Sequence, residues 1–370
     1  MKLAVIGASR GQLPICLKAR EMGIETICFA WSEGAVCKDF VNKFYPISIF
    51  EMDKIVDICK EMHVDGVVSN ASEKIASVVS YVAGKLALHA TPYDAILSIK
   101  NKFSTRQKTR NIPELRTIQC VKYTDGQQAP FIPCVVKPIS GAGKQGVSFV
   151  HSEDEFKAAI NYINGTTDSE IIVEEYIEGA EVSVESISFE GQHYVLQVTD
   201  KENSGPPHFV ELSHHQPSSL NPEVIEKIKR IIPNLLTAVG FTNGASHTEM
   251  KIDANGDVYL IEINPRGGGD EISNTLVELS TGYDYIKGMI EVALGTFTQP
   301  SISKSQNTGI YFLCEQTKSR IPFFVNSAEK DWLVRSDFNI KSLSTATGNS
   351  DRNGFLIYCA PQKINWQDYL

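Results

Sequence analysis

Residues 247–266 read H-T-E-M-K-I-D-A-N-G-D-V-Y-L-I-E-I-N-P-R. Asn255-Gly256 lies between two runs of alternating polarity, a strong short-range signal for a two-residue hairpin turn. With those two residues as the loop, Ala254 faces Asp257 and Glu249 falls directly opposite Glu262. Alternation then puts His247, Glu249 and Lys251 on one face of the first strand, and Leu260, Glu262 and Asn264 on the same face of the second. Directly opposed side chains have Cβ atoms about 5 Å apart, and like charges there destabilise the pair. A hard divalent cation among carboxylate and amide oxygens offsets that repulsion, and Mg²⁺ accepts such sparse protein ligation when phosphates supply the rest. Glu249, Glu262 and Asn264 are therefore the candidate metal ligands. The competing reading is a pair of solvated glutamates on an exposed face.

The remainder of the chain bounds what such a site could serve. Its 370 residues allow two or three domains, and 42% apolar with 21% charged residues is ordinary for a globular protein. A net charge of −9 argues against a general attraction to nucleic acid or anionic membrane, so an anionic ligand must be met by local cations. The eight cysteines include no C-x-x-C pair and read as reduced packing thiols of a cytoplasmic protein. The opening apolar run is broken at Gly7, too short for a signal peptide, and no apolar stretch is long enough to span a bilayer.

Taken in order, Lys2 to Ile6 reads as a buried strand, Leu13 to Met22 as a helix and Ile24 to Ala30 as a second strand, the opening of a doubly wound domain that ends near residue 95. Gly7-x-x-x-Gly11 lacks the dinucleotide spacing. A lysine-rich helix occupies Ser98 to Thr109. Cys134 to Pro138 is a strand that ends in Lys137. Gly141-x-Gly143-x-x-Gly146 then matches the dinucleotide fingerprint in form, but a strand follows instead of a helix, so the loop is a hairpin tip. Such a hairpin can fold over phosphates and offer backbone N–H groups, with Lys137 at its root; the alternative is a flexible surface hairpin. Ile171 to Gly179 is a strand running into a turn, and Glu181 to Glu185 alternates as another. Asp200 to Leu220 reads as a long irregular polar segment, which is often functional. His214 and His215 within it point apart if extended, so they do not share a ligand. Pro222 to Val239 is an amphipathic helix, Gly267-Gly268-Gly269-Asp270 a loop that admits close backbone approach, and a β-rich tail starts near Gly309.

A lysine on a helix, a strand-end lysine, a glycine hairpin, Glu174-Glu175-Tyr176-Ile177, a later glutamate and Glu249…Glu262-x-Asn264-Pro265-Arg266 occur in that order. The ordered set resembles the ATP-grasp superfamily over roughly residues 1–300, nearest in flavour to L-amino-acid ligases and carbamoyl-phosphate-synthetase-like members. The resemblance implies an α/β and α+β architecture. A Rossmann-like domain would span 1–95, an ATP-grasp domain 96–300 with subdomains near 105–178 and 179–300, and a small β-rich region 301–370. It implies ATP and Mg²⁺, with Mn²⁺ as a substitute, and ADP-forming ligation of small-molecule carboxylate and amine substrates through an acyl phosphate. A homodimer is compatible with it. Lys102 or its neighbour Lys100, together with Lys137, would hold phosphates, with Val135 beside them. Gly141, Gly143 and Gly146 would form the flap. Glu174, the carbonyl of Glu175 and the N–H of Ile177 would read adenine, Glu181 the ribose, and Arg266 would stabilise the acyl phosphate and its tetrahedral successor. Lys201, His215 and Gly268 are the substrate assignments. The runners-up are an ATP-grasp carboxylase or carbamoyl-phosphate-type enzyme, and a non-catalytic ATP-binding regulator.

Overall fold

In the computed structural model, residues 1–70, 72–141, 146–206 and 208–369 are described. The chain opens with four parallel strands, β1 (Lys2–Ile6), β2 (Glu25–Phe29), β3 (Lys43–Tyr45) and β4 (Gly66–Val68), in the order β3-β2-β1-β4. Parallel strands read as continuous apolar runs because both faces are covered. Leu3, Val5 and Cys28 pack with Ile15 and Ala19 of α1 (Leu13–Glu21), while Ala4, Ile6 and Ile27 pack with Ile55 of α2 (Met52–Met62) and Val82 of α3 (Glu73–Lys85). This is the βαβ opening that the sequence implied. All eight cysteines are free thiols, and no helix among the described residues is long and apolar enough to cross a membrane.

The basic segment does not make one helix. α4 (Tyr93–Lys100) and α5 (Lys102–Thr109) meet at Asn101, whose side chain caps α5 by accepting from Ser104 N–H at 2.8 Å. Asparagine competes with the helical backbone in this way, and that capping breaks the expected continuous helix.

After a short β5 (Leu115–Arg116), a four-stranded antiparallel sheet forms from β6 (Cys120–Lys122), β7 (Cys134–Pro138), β8 (Ser148–Val150) and β9 (Ile171–Glu175), in the order β6-β9-β7-β8. The hairpin β7–β8 is the glycine-rich one, paired Cys134↔Val150 to Val136↔Ser148. α6 (Glu153–Asn164) covers one face through Phe156, Ile160 and Ile163.

The central sheet carries the rest. Its strands are β10 (Ala180–Phe189), β11 (Gln192–Asn203), β12 (Glu211–Gln216), β13 (Gly244–Ile252), β14 (Val258–Asn264), β15 (Asn307–Leu313), β16 (Leu333–Phe338) and β17 (Gly354–Ala360). With β5 they run β16-β17-β15-β12-β11-β10-β13-β14-β5. The tail strands thus extend this sheet instead of making one of their own. The polar stretch 200–220, expected to be irregular, holds the end of β11 (200–203) and all of β12 (211–216). Strand-former statistics miss it because its side chains satisfy one another inside the sheet: Gln216 Nε2 donates to Thr199 Oγ1 at 2.9 Å, and Ser213 Oγ to Glu202 Oε2 at 2.6 Å.

One face of the sheet is apolar. Val182, Val184, Val198, Met250, Ile252 and Leu260 pack on Ile228, Ile232, Leu235 and Leu236 of α7 (Pro222–Ala238). The opposite face carries Glu181, Lys201, Lys251 and Glu249 in register, Glu181 pairing with both Lys201 and Lys251. α8 (Val277–Thr281) and α9 (Tyr285–Leu294) cover the rest of that face and join it to the first sheet, where a Cβ on Gly66 would sit 2.6 Å from the carbonyl of Ala293.

The β13–β14 hairpin pairs Glu249 with Glu262 as the sequence implied, but by a different route. The turn is longer than two residues: Gly256 N–H donates to Asp253 O at 3.0 Å, and Asp253 Oδ1 accepts from Asn255 and Asp257 N–H, both at 2.9 Å. Asp253, not Ala254, faces Asp257. The register Met250↔Leu260 is therefore one residue short, and a bulge at Ile261 restores Glu249↔Glu262. The same bulge corrects the face expected for Leu260. It lies in the core beside Met250, because alternation restarts after the extra residue.

Leu235 of α7 is fully buried against this apolar face. Leu235→Ala should lower the unfolding free energy by about 2–5 kcal/mol, read from urea denaturation midpoints at unchanged m value.

Candidate nucleotide and metal site

Lys102, Val135, Lys137, Gly141, Glu174, Glu175, Ile177, Glu181, Glu249 and Glu262, all singled out from sequence, line one cleft of about 1020 Å³. It lies between the four-stranded sheet and the polar face of the central sheet. Its apolar wall is Ile118, Val135, Val147, Tyr176, Phe209 and Ile261. Gly143 lies outside the described residues. Gly146 has φ +73, which glycine adopts at little cost, and a Cβ there would meet Pro138 Cγ at 3.0 Å.

The strand-end lysine has a partner the sequence reading missed. Lys137 Nζ lies 2.6 Å from Glu174 Oε2, and Arg106 of α5 donates from Nε to Glu174 Oε1 at 2.8 Å and from Nη2 to Oε2 at 3.2 Å. Burial alone would push the Glu174 carboxyl up, but Arg106 and Lys137 outweigh it and hold its pKa at about 2. The Glu174 side chain is thus engaged with cations, and the main chain around Glu175–Ile177 is what borders the apolar wall. Glu175 turns its carboxylate to Gln119 N–H and Nε2 at 2.8 and 2.9 Å. Arg106 also donates from Nη2 to the carbonyl of the bulged Ile261 at 2.8 Å. A lysine in the buried strand β7 signals that a carboxylate partner is needed; nothing in the sequence says that Arg106 of α5 joins that pair.

The facing carboxylates are each held by a lysine. Glu262 Oε1 is 2.8 Å from Lys102 Nζ, which also donates to Gly141 O at 3.1 Å. Lys102, not Lys100, lines the cleft; Lys100 lines a neighbouring cavity with Lys74 and Glu262. Glu249 Oε1 is 3.0 Å from Lys201 Nζ. Lys201, expected in a loop, is buried on β11 among three carboxylates, since Glu181 and Glu211 lie at 3.1 and 3.2 Å. Burial opposes its charge, yet Glu249, Glu211 and Glu181 raise its pKa well above the usual lysine value. Asn203 Nδ2 donates to Glu181 Oε2 at 3.0 Å.

Behind Glu249 stands His247, placed on this face by alternation but with a partner, Glu185, that the sequence did not reveal. His247 donates from Nδ1 to Glu185 Oε1 at 2.5 Å, and its Nε2 faces Glu249 Oε1 at 3.3 Å. Burial disfavours the imidazolium, but Glu185 and then Glu249 outweigh it and raise its pKa to about 9. Gly268 N–H donates to Glu185 Oε2 at 3.1 Å, and a Cβ there would be 2.8 Å from His247 Nδ1, so the glycine loop packs against the His247–Glu185 pair. Lys251 completes the cleft, donating to Ile177 O at 3.0 Å with Nζ 4.8 Å over the Tyr176 ring.

Asn264 pairs with His247 across the hairpin, and its Oδ1 faces Arg266 Nη2 at 3.4 Å. Arg266 donates from Nη1 to Gly267 O at 3.0 Å and lines an adjoining cavity with Pro265, beside the first domain. His215 is not brought to the site. Its parity turns it to the back of the sheet, where Nδ1 meets Tyr358 OH at 2.9 Å, and burial drives its pKa well below the usual value. His214 pairs with Lys201 and takes the site's face instead.

Two facing carboxylates and an amide fit a hard divalent cation that shares its shell with phosphates. They would not suffice alone: among the described residues no three His, Cys, Asp or Glu side chains converge as a metal cage.

Residues 130–275 match the ATP-grasp domain family. The chain is 25% identical to the ATP-grasp enzyme fsqD of Aspergillus fumigatus, over 72% of this chain and 54% of that protein. It is 23% identical to the alanine–anticapsin ligase of Bacillus subtilis, over 59% of this chain and 52% of that one. It thus spans about half the length of these curated relatives. The L-amino acid ligase of Bacillus licheniformis shares the fold with a TM-score of 0.81, at 22% identity over 98% of this chain and 93% of that one.

The Glu174 cluster generates a pH prediction. Its folded pKa of about 2 lies below the usual carboxylate value of about 4.3, so its stabilisation is complete above that value and is lost as pH falls from it toward 2. Glu174→Gln should flatten that part of the stability profile. At pH 7 it should destabilise by about 3–5 kcal/mol by leaving two buried cations uncompensated. Urea unfolding at pH 7, 4 and 3 checks both.

Proposed function

We propose that this chain, whose residues 130–275 match the ATP-grasp domain family, is an ATP- and Mg²⁺-dependent carboxylate–amine ligase. The observation that carries the reading is the pair Glu249 and Glu262, register partners that line one cleft with the two lysines Lys102 and Lys137 and an apolar wall. Lysines suit phosphates, the apolar wall suits a purine ring, and the paired carboxylates suit the cation that accompanies a nucleoside triphosphate.

In this reading the backbone of Glu175 and Ile177 reads adenine, Glu181 holds the ribose, and Lys102 and Lys137 hold the phosphates. Glu249, Glu262 and Asn264 would hold Mg²⁺ or Mn²⁺, which when bound draws charge from the phosphate oxygens. Lys201 and His247 fix the direction of Glu249. A substrate carboxylate attacks the γ-phosphorus, giving an acyl phosphate and ADP; an amine then attacks the acyl carbon and phosphate leaves. Such transfers need positioning and charge neutralisation more than a protein nucleophile. Arg266, next to Asn264, supplies the fork that neutralises the transferring phosphoryl group and the developing oxyanion.

Incubating the protein with Mg²⁺-ATP and amino acids or small acids, singly and in pairs, should release ADP only in the presence of the right acid. Hydroxylamine in place of the amine should trap a hydroxamate, one per ADP. AMP with pyrophosphate would overturn the acyl-phosphate route, ADP release with bicarbonate would favour the carboxylase reading, and ATP binding with no acid-stimulated turnover would favour a regulator. Glu249→Gln and Glu262→Gln should each abolish turnover at limiting Mg²⁺ and leave the thermal midpoint no higher than that of the parent, because each takes a charged partner from a paired lysine. Arg266→Lys should lose about 10²–10³ in kcat and still bind ATP, as titrated by calorimetry.

A further inference from the structure

The loop that follows Arg266 is held in an unfavourable shape. Asp270 and Glu271 have φ of +52 and +64, a left-handed region that non-glycine residues seldom occupy. The groups that hold it come from the far end of the chain. Arg352 grips Asp270 with both arms, Nη1 to Oδ2 at 3.0 Å and Nη2 to Oδ1 at 2.5 Å. Asn349 Nδ2 donates to Asp270 Oδ2 at 3.3 Å, and His214 Nε2 faces it at 3.4 Å. Burial would raise the Asp270 pKa, but His214 and Arg352 keep it well below the usual carboxylate range. Arg335 Nη2 meets Glu271 Oε2 at 3.0 Å.

The same C-terminal residues hold β12. Arg352 Nη1 also donates to Glu211 O at 3.3 Å, and Asn349 Oδ1 accepts from Glu211 N–H at 3.1 Å. The guanidinium lies 3.6 Å over the Phe312 ring, and its Nε donates to Asn349 O at 2.7 Å, so its own direction is fixed. Glu211 is the residue that meets Lys201, and Lys201 meets Glu249. Residues 349–352 therefore tie two walls together, the strand behind the metal carboxylate and the loop behind Arg266. None of residues 267–271 or 349–352 lines the nucleotide cleft. The loop they hold instead begins at Gly267, whose carbonyl accepts from Arg266 Nη1 at 3.0 Å, and the ligase reading gives Arg266 the oxyanion that forms when the acceptor attacks.

We propose that Arg352 is a positioning residue for the acceptor half of the reaction: by clamping Asp270 against β12 it fixes the 267–271 loop, and the C-terminal region is thereby part of the active site although it lies outside the matched domain. The proposal rests on the ligase reading for its kinetic consequence, but not for its structural one.

Two measurements on Arg352→Ala and Arg352→Lys test it. Amide hydrogen exchange without substrates should rise about tenfold or more at residues 267–271 in Arg352→Ala, the loss expected of a charge-assisted bidentate pair. Residues 171–177 beside the nucleotide cleft should be unchanged. In ADP-release assays the KM for the amine acceptor should rise about tenfold, with the KM for ATP held within about twofold. Lysine should restore only part, since it keeps the charge and lacks the fork. Unchanged loop exchange, or equal rises in both KM values, overturns the clamp; equal rises mean general loosening. If no acid and amine support ADP release in the parent, the ligase reading fails and loop exchange alone decides the clamp. Should Arg352→Ala not fold, Asp270→Asn takes its place in both measurements with the same expected split.

Discussion

A single buried carboxylate joins the two sheets that face the cleft. Glu174 stands on β9 of the smaller sheet, and the guanidinium that neutralises it, Arg106, also holds the carbonyl of Ile261 on β14 of the central sheet. Without Arg106 an ionised Glu174 would have only Lys137, and an unshared buried charge is costly by several kcal/mol. The arrangement fixes three things at once: where Lys137 points, how far β9 stands from β14, and the bulge that aligns Glu249 with Glu262. A hydrophobic replacement could hold the sheets together, but it would aim no lysine at the cleft.

The central sheet sorts its residues by parity. On one face valines, isoleucines and leucines meet α7; on the other, carboxylates and cations pair across four adjacent strands, β11, β10, β13 and β14. A sheet with one polar buried face is costly unless every group finds a partner. Here Lys201 serves three carboxylates and His247 two. That economy holds the charges of the face in direction before any ligand arrives.

How much of this could be read beforehand follows from range. The β13–β14 hairpin is local, so alternation around Asn255-Gly256 located Glu249 opposite Glu262 even though the turn was misjudged. The extra turn residue and the Ile261 bulge offset each other, and only the face of Leu260 betrays the error. The glycine hairpin and its lysine were legible for the same reason. Arg106, His247 with Glu185, and Arg352 were not, because each acts across 62 to 155 residues of sequence, and separation carries no periodic signal. The choice of His215 over His214 failed on a subtler point. Both lie on one strand, and which faces the cleft depends on pairing with Lys201, a register set by the β11–β12 bulge.

The cations around the cleft also constrain how a nucleotide could enter. Lys102 is engaged by Glu262, Lys137 by Glu174, and Lys201 by Glu249, Glu181 and Glu211. Phosphates arriving without a metal would have to draw Lys102 from Glu262 and leave that carboxylate facing Glu249 with less compensation. Were a divalent cation to arrive with the phosphates, Glu262 and Glu249 would hold it, Lys102 would be free to meet the phosphates, and no carboxylate would be left poorer in positive charge than before. Lys137 need not move at all, because Arg106 keeps Glu174 neutralised while the ammonium turns its remaining protons to a phosphate. In the proposed reading the paired carboxylates and the two lysines would therefore work as one exchange, and that coupling would favour the metal–nucleotide complex over free nucleotide without any residue whose sole task is to tell them apart.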